Sequence, residues 1–190
     1  STDRPVAHVT VRNLDFAHTT WLRPSLSGHV PLQGGFPLLD AYGLSPKGTP
    51  DWRGLDNQAW TARPPAAVAI VGASHLRFEG CRFEHTAANG VDLRRGVTRS
   101  EIEGCLFRDI GISGLVAGDF GGDGVEAHLP YRPDDDREVC ARLRVANSVF
   151  HDCANEDWGG VAILAGAVSD TTIEHNEVAF SSYTGISLGW

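Results

Sequence analysis

Two segments of this chain can be laid one above the other. In "HLRFEGCRFEH" (75–85) and "RSEIEGCLFRD" (99–109), Phe78, Cys81 and Phe83 match Ile102, Cys105 and Phe107 at a shift of 24. The same shift carries "NGVDL" (89–93) onto "SGLVA" (113–117). The pattern returns as "LRVANSVFHD" (143–152) with "GGVAI" (159–163), and as "TTIEHNEVAF" (171–180) with "TGISL" (184–188). An earlier copy, "VTVRNLDFAH" (9–18), reaches "AAVAIVGA" (66–73) only after a long interruption. A chain that repeats at such a period builds one small unit per repeat and buries its apolar positions by stacking the units.

Each unit holds short runs of alternating apolar residues, rich in Val, Ile and Phe and punctuated by Gly, Asn or His. Those features predict strands, and no segment carries an apolar stripe of helical period. About three short strands in roughly 24 residues is the coil of a parallel β-helix, so the expected fold is all-β, a right-handed parallel β-helix with long inserted loops. A leucine-rich repeat of similar length would need a leucine-dense strand and a helical return, and neither is present.

Stacked coils place equivalent residues about 4.8 Å apart. Val11, Phe78, Ile102, Val145 and Ile173 are expected to form one inward column, and Phe16, Phe83, Phe107, Phe150 and Val178 another. Cys81 and Cys105 fall one above the other beside Ser148 and Asn176, as small residues at a bend. Outside, Arg77, Glu101 and Arg144 alternate in sign, which favours cross-strand neighbours. Glu79 and Glu103 stack with like sign near Arg12, a column that reads as a solvated face or as a place for a cation.

Composition bounds what this solenoid can bind. A formal charge of −8 with Lys47 as the one lysine gives no positive face for nucleic acid. No apolar run is long enough to cross a bilayer, and the first residues lack the pattern of a secretion signal. The four cysteines show no short paired spacing of a zinc site. "PDDDRE" (133–138) is acidic enough to suggest calcium, yet lacks the spaced ligands and glycine of a calcium loop. No cofactor or metal is therefore expected.

The interruptions of the repeat carry the chemistry. Loops leaving a solenoid on one side commonly build its binding face. Residues 84–90, 108–114 and 179–185 join the strands by seven residues, whereas "HDCANEDWGG" (151–160) uses ten, with the excess at Glu156, Asp157 and Trp158. At the same junction the first coil makes a far larger excursion, about 17–65, bearing Trp21, Phe36, Tyr42, Trp52 and Trp60. A second insertion, about 118–140, leaves from another edge. Beside the first edge, His18, His85, Asp109 and Asp152 lie two residues after the Phe of each coil, and Tyr183 sits in the final loop. Carboxylates, histidines and aromatics along one edge suit carbohydrate, because aromatic faces stack on sugar rings and carboxylates move protons. The same polar column also serves to satisfy backbone groups at a bend, and some of the loop aromatics are expected to form a small core of their own.

Three stretches, "VRNLDFAHTTWLRPS" (11–25), "GGVAILAGAVSDTTIEHNEV" (159–178) and "SSYTGISLGW" (181–190), resemble bacterial β-helix carbohydrate-active proteins of the pectate-lyase-like superfamily. Within it the chain is most similar to glycoside hydrolase family 141 and its relatives, which include enzymes described as fucosidases and xylanases. The resemblance covers most of the chain and implies a catalytic carboxylate in the stretch matching "NEDWGG", hence Glu156. It also implies a second carboxylate beyond the motif that begins at Tyr183, so the chain reads as a portion of a longer protein whose remaining coils would be partners, and as secreted or cell-surface. The catalytic candidates are Glu156, Asp157, Asp152 and Asp109; the candidates for sugar contact are Trp158, Tyr183, Trp21, His85, His18 and Trp190. The readings left open are glycoside hydrolysis, a polysaccharide lyase with Arg94 and Arg95 as its adjacent basic pair, and a non-catalytic glycan-binding or structural module.

Overall fold

The computed structural model describes residues 2–22, 29–31, 33–39, 60–61, 63–119 and 133–189. The described chain is almost wholly β. One pass contributes a strand to each of three sheets, and the next pass pairs with it in parallel. The first sheet takes Val6–Ala7, Ala66–Ser74, Asn89–Thr98, Leu115–Ala117, Val161–Ala165 and Thr184–Leu188 in that order, with Cys140–Ala141 and Val168–Ser169 prolonging two of its lines. The second stacks Thr10–Arg12, Arg77–Glu79, Glu101–Glu103, Arg144–Ala146 and Thr172–Glu174; the third stacks Asp15–Thr19, Arg82–Thr86, Leu106–Ile110, Val149–Cys153 and Glu177–Ala179. This is the stacking of a β-solenoid.

Both predicted inward columns are present as aligned partners: Val11, Phe78, Ile102, Val145 and Ile173 in the second sheet, and the phenylalanine column ending at Val178 in the third. The rings of Phe16, Phe83, Phe107 and Phe150 lie nearly parallel, with centroids 4.9, 4.8 and 4.4 Å apart. Strand spacing alone sets those distances. The rings need room on the first sheet: a Cβ on Gly114 would lie 2.7 Å from Phe150 Cδ1. The step between coils is not constant. It is 67 residues from Arg12 to Glu79, 24 from His85 to Asp109, 43 from Glu101 to Arg144 and 28 from Ser148 to Asn176.

The corners obey a conformational rule. Before each second-sheet strand stands a residue with positive φ: His8, His75, Arg99, Arg142 and Asp170. After it stands another: Asn13, Gly80, Gly104, Asn147 and His175. Near the end of each third-sheet pass comes a third set, His18, His85, Asp109, Asp152 and Phe180, with φ between 54° and 59°. Gly, Asn, Asp and His tolerate this left-handed region best, which explains much of the polar punctuation in the repeat. Cys81 and Cys105 follow the second set as buried thiols, and their S–H groups reach the carbonyls of Val11 (3.4 Å) and Phe78 (3.6 Å). Burial pushes the Cys105 thiol up to about 11, so it stays protonated and inert at neutral pH.

Two faces outside the core are organised by charge. On the second sheet Arg77 bridges to Glu101 (3.1 Å), and Arg144 binds Glu101, Glu103 and Glu174 together. The hydrogen bond from Asn147, and then Arg144, hold the Glu103 carboxyl below its ordinary value of 4.5. A lowered folded value means that Glu103 stabilises the fold above about pH 4.5 and that this contribution disappears as acid protonates it. Asn147→Ala is therefore expected to flatten the loss of thermal stability below pH 4.5. Melting curves from pH 3 to 7 that match the wild type would remove Glu103 from the account.

On the outer face of the first sheet, Asp92, Val116 and Leu164 align. Phe36 packs on Val116, Val161 and Leu164 and is 1% exposed. Arg63 grips Asp92 through two bonds of 2.7 and 2.9 Å, donates to the Gly118 carbonyl at 2.7 Å, and lies over the Phe36 ring. Phe36 and Arg63, both from the stretch 17–65, thus cover this face, with Phe36 packed on aliphatic side chains of the solenoid. Tyr42 and Trp52, and residues 120–132 of the second predicted insertion, lie outside the described residues.

The alignment of "GGVAI" with "SGLVA" needs correction. Ile163, not Val161, faces Leu115, and Val161 faces Thr184. Ile110 and Leu115 are five positions apart, while their partners Cys153 and Ile163 are ten apart. The loop excess is five residues rather than three. Val161–Ala162, not Gly159–Gly160, occupy the place of Ser113–Gly114, two positions further on.

Candidate functional site

The site is built where the third sheet turns into the first. Strand Val149–Cys153 carries Asp152 in the left-handed conformation, and the chain then leaves the coil through residues 154–160. Three successive N–H groups anchor this loop on the coil below. Asn155 donates to Ile110 O (3.2 Å), and Glu156 and Asp157 both donate to Gly111 O (3.1 and 2.9 Å). Gly160 N–H closes back onto Asp157 O at 2.9 Å. From the coil above, Ser182 Oγ donates to Ala154 O (2.7 Å) and approaches Trp158 O (3.2 Å).

This clamping decides which loop side chains meet solvent. Glu156 is exposed, and Trp158 is 62% exposed despite its size. Asp157, between them, is 2% exposed. The acidic pair is thus split, one carboxylate outward and one inside the loop. Tyr183, next to the clamping Ser182, is 48% exposed, and Phe180, 75% exposed, meets His151 edge-on.

The excursion from the first coil reaches the same corner. Gly35 N–H donates to Gly159 O at 3.1 Å. Gly35 has a φ of +80°, and a Cβ there would stand 2.8 Å from both Ile112 Cγ2 and Ser113 Oγ. Only glycine lets the turn at Gln33–Gly35 lie this close. Both interruptions of the repeat therefore meet at one edge, where the turn at Gln33–Gly35 touches the short loop at Gly159 and the coil at Ile112 and Ser113.

Along that edge the polar column is connected. The His18 and His85 rings stack at 5.1 Å with 8° between planes. His85 Nδ1 lies 2.5 Å from Asp109 Oδ2, and Asn155 Nδ2 donates to the other Asp109 oxygen. Asp152 stands opposite Asp109 on the next coil and is exposed. The structure thus joins His18, His85, Asp109 and the loop bearing Glu156. Asp157 is set apart by burial. Trp21 is half-buried just beyond strand Asp15–Thr19, and Trp190 lies outside the described residues. Sequence reasoning missed Asn155 and Ser182, which hold this arrangement together. Asn155 stood inside the insertion beside Glu156, but nothing in its spacing signalled a bond to a carboxylate 46 residues earlier.

Among the described residues no group of three or more His, Cys, Asp or Glu side chains could hold a metal ion. In the acidic run 133–138, Asp135 is bound by Arg137, which also reaches Asp3 at 3.0 Å. Two concavities, of about 590 and 540 Å3, lie at the far ends of the first-sheet strands around Arg142, Val168, Ser169 and Ile173, away from the loop. No helix among the described residues is long and apolar enough to cross a membrane.

The chain is similar over its whole length to a solved structure named "Glycoside hydrolase", at 47% identity and a TM-score of 0.83. The match covers 100% of this chain and 32% of that one, so the chain spans about a third of that relative's length. No family model matches the chain, and no curated protein matches it.

Proposed function

We propose that this protein is a secreted or cell-surface glycoside hydrolase of the pectate-lyase-like kind, related to glycoside hydrolase family 141, acting on a poly- or oligosaccharide. The observation that carries the reading is the loop 154–160, which presents Glu156 beside an outward Trp158 at the corner where both excursions meet. An exposed indole of this size lowers solubility unless it has a partner, and a sugar ring is the partner that suits it. The whole-length similarity to a glycoside hydrolase structure supports the same reading.

Hydrolysis of a glycosidic bond needs one carboxylic acid to protonate the leaving oxygen and a second group to act as nucleophile or base. Glu156 is the proton donor or nucleophile in this proposal. Asp109 and Asp152 flank the loop on adjacent coils, and Trp158, Tyr183, Trp21 and Trp190 offer the sugar its stacking faces. Buried Asp157 fits the role of shaping the loop better than that of meeting substrate.

The lyase reading is the weaker one. It needs an unencumbered basic group, yet Arg95 is bound to Asp119 at 2.6 Å. The deciding experiment incubates the protein with para-nitrophenyl α-L-fucoside and β-D-xyloside, xylan and a fucosylated plant polysaccharide, and resolves the products. Saturated reducing sugars are expected. Ultraviolet-absorbing unsaturated products would establish the lyase, and saturable binding without cleavage would establish a binding module.

A further inference from the structure

We infer that His85, oriented by Asp109, is the proton-accepting partner of Glu156 in the proposed hydrolysis. This rests on the hydrolase reading above and changes the role of Asp109 from a catalytic carboxylate to a positioning residue. The carboxylate only accepts hydrogen bonds, so in the neutral ring its contact at 2.5 Å places the proton on His85 Nδ1 and leaves a lone pair on Nε2. The second Asp109 oxygen is taken by Asn155, which fixes the carboxylate plane and in turn the imidazole. The His85 side chain remains 47% exposed, open enough to meet a water or a sugar hydroxyl. Asn155 is chain neighbour to Glu156, so one residue ties the imidazole and the acid to a common loop.

The molecule contains its own comparison. At another corner His8 and His75 also stack, with centroids 4.6 Å apart, and both have positive φ. There the neighbour of His75 Nδ1 is the hydroxyl of Ser74 at 2.8 Å, and the next residue in the column is Arg99. A bend that accepts histidine therefore accounts for the stacked rings at both corners. It does not account for the clamped carboxylate, which stands at the His85 corner, beside the loop bearing Glu156, and not at the His75 corner.

The reaction balances without a co-reactant. As the oxygen of a water bonds to the anomeric carbon, one of its protons passes to Nε2. The bond from that carbon to the leaving oxygen breaks, and the leaving oxygen takes the proton of Glu156. His85 then returns its proton through solvent to the Glu156 carboxylate, and water has been added across the bond. The surrounding charged and titratable groups are His18 on the stacked face, Asp109 on the bonded edge and Asp152 one coil on.

The test compares His85→Asn with His75→Asn on para-nitrophenyl α-L-fucoside, para-nitrophenyl β-D-xyloside and xylan. Asparagine accepts the left-handed backbone at both places. His85→Asn is expected to lower kcat about 10²–10⁴-fold with little change in KM, as for the loss of a general base. His75→Asn is expected to match the wild type. Nitrogen NMR adds a readout that a structural role would not move: wild-type His85 should be the Nδ1–H tautomer, and Asp109→Asn should shift it toward Nε2–H with a matching loss of kcat. Full activity in His85→Asn, or an Nε2–H tautomer in the wild type, overturns the inference while the hydrolase reading stands. A wild type that cleaves none of these glycans overturns both.

Discussion

Glu156→Gln is expected to lower turnover on the substrate of the wild type by about 10²–10⁴-fold, the range for removing a general acid or base. The substitution keeps the shape of the side chain and removes its proton chemistry. The loop should survive it, because the backbone N–H groups of residues 155, 156 and 157 anchor it on Ile110 O and Gly111 O, and the substitution leaves them in place. Circular dichroism and melting temperature should match the wild type, and glycan binding should persist. Steady-state rates of both proteins on the same glycan check the claim. Undiminished turnover in the variant would take Glu156 out of the chemistry and leave the loop as a binding element.

The largest effect on stability is expected from Phe107→Ala, a loss of about 3–5 kcal/mol. Phe107 is 0% exposed and stands mid-column, with the rings of Phe83 and Phe150 on either side. Each stacked pair adds about 0.5–1.5 kcal/mol beyond the burial of apolar area. Alanine removes two pairs at once and opens a cavity that cannot collapse, because hydrogen-bonded strands hold the coils above and below at fixed spacing. Equilibrium denaturation compared with Val178→Ala, at the less buried end of the column, measures it. A Phe107→Ala midpoint close to the wild type would mean that the column packs more loosely than its geometry indicates.

The columns were legible in the sequence because a strand writes its facing in every second residue. The columns Val11 to Ile173 and Phe16 to Val178 follow from that alternation and the repeat, and both agree with the pairing. The register of Val161–Ala165 was not legible. Moving a strand by two keeps every side chain on its own face, so alternation cannot detect the slip. The placement of His85 over Asp109 followed from the repeat, whereas the burial of Asp157 did not. Glu156 and Asp157 are adjacent acids in the sequence, and only the bonds that pin the loop to Gly111 turn one outward and the other in.

The unequal steps between coils have a consequence for the entropy of closure. Bringing two strands together costs about (3/2)RT ln n for the n residues between them. The step of 67 residues that joins the first coil to the second is therefore roughly 0.9 kcal/mol dearer than the step of 24 that joins the second to the third. The greatest closure cost thus falls on the step that brings the second coil onto the first. That step also stacks His85 on His18, so one part of the proposed sugar-binding edge is assembled at the costliest closure.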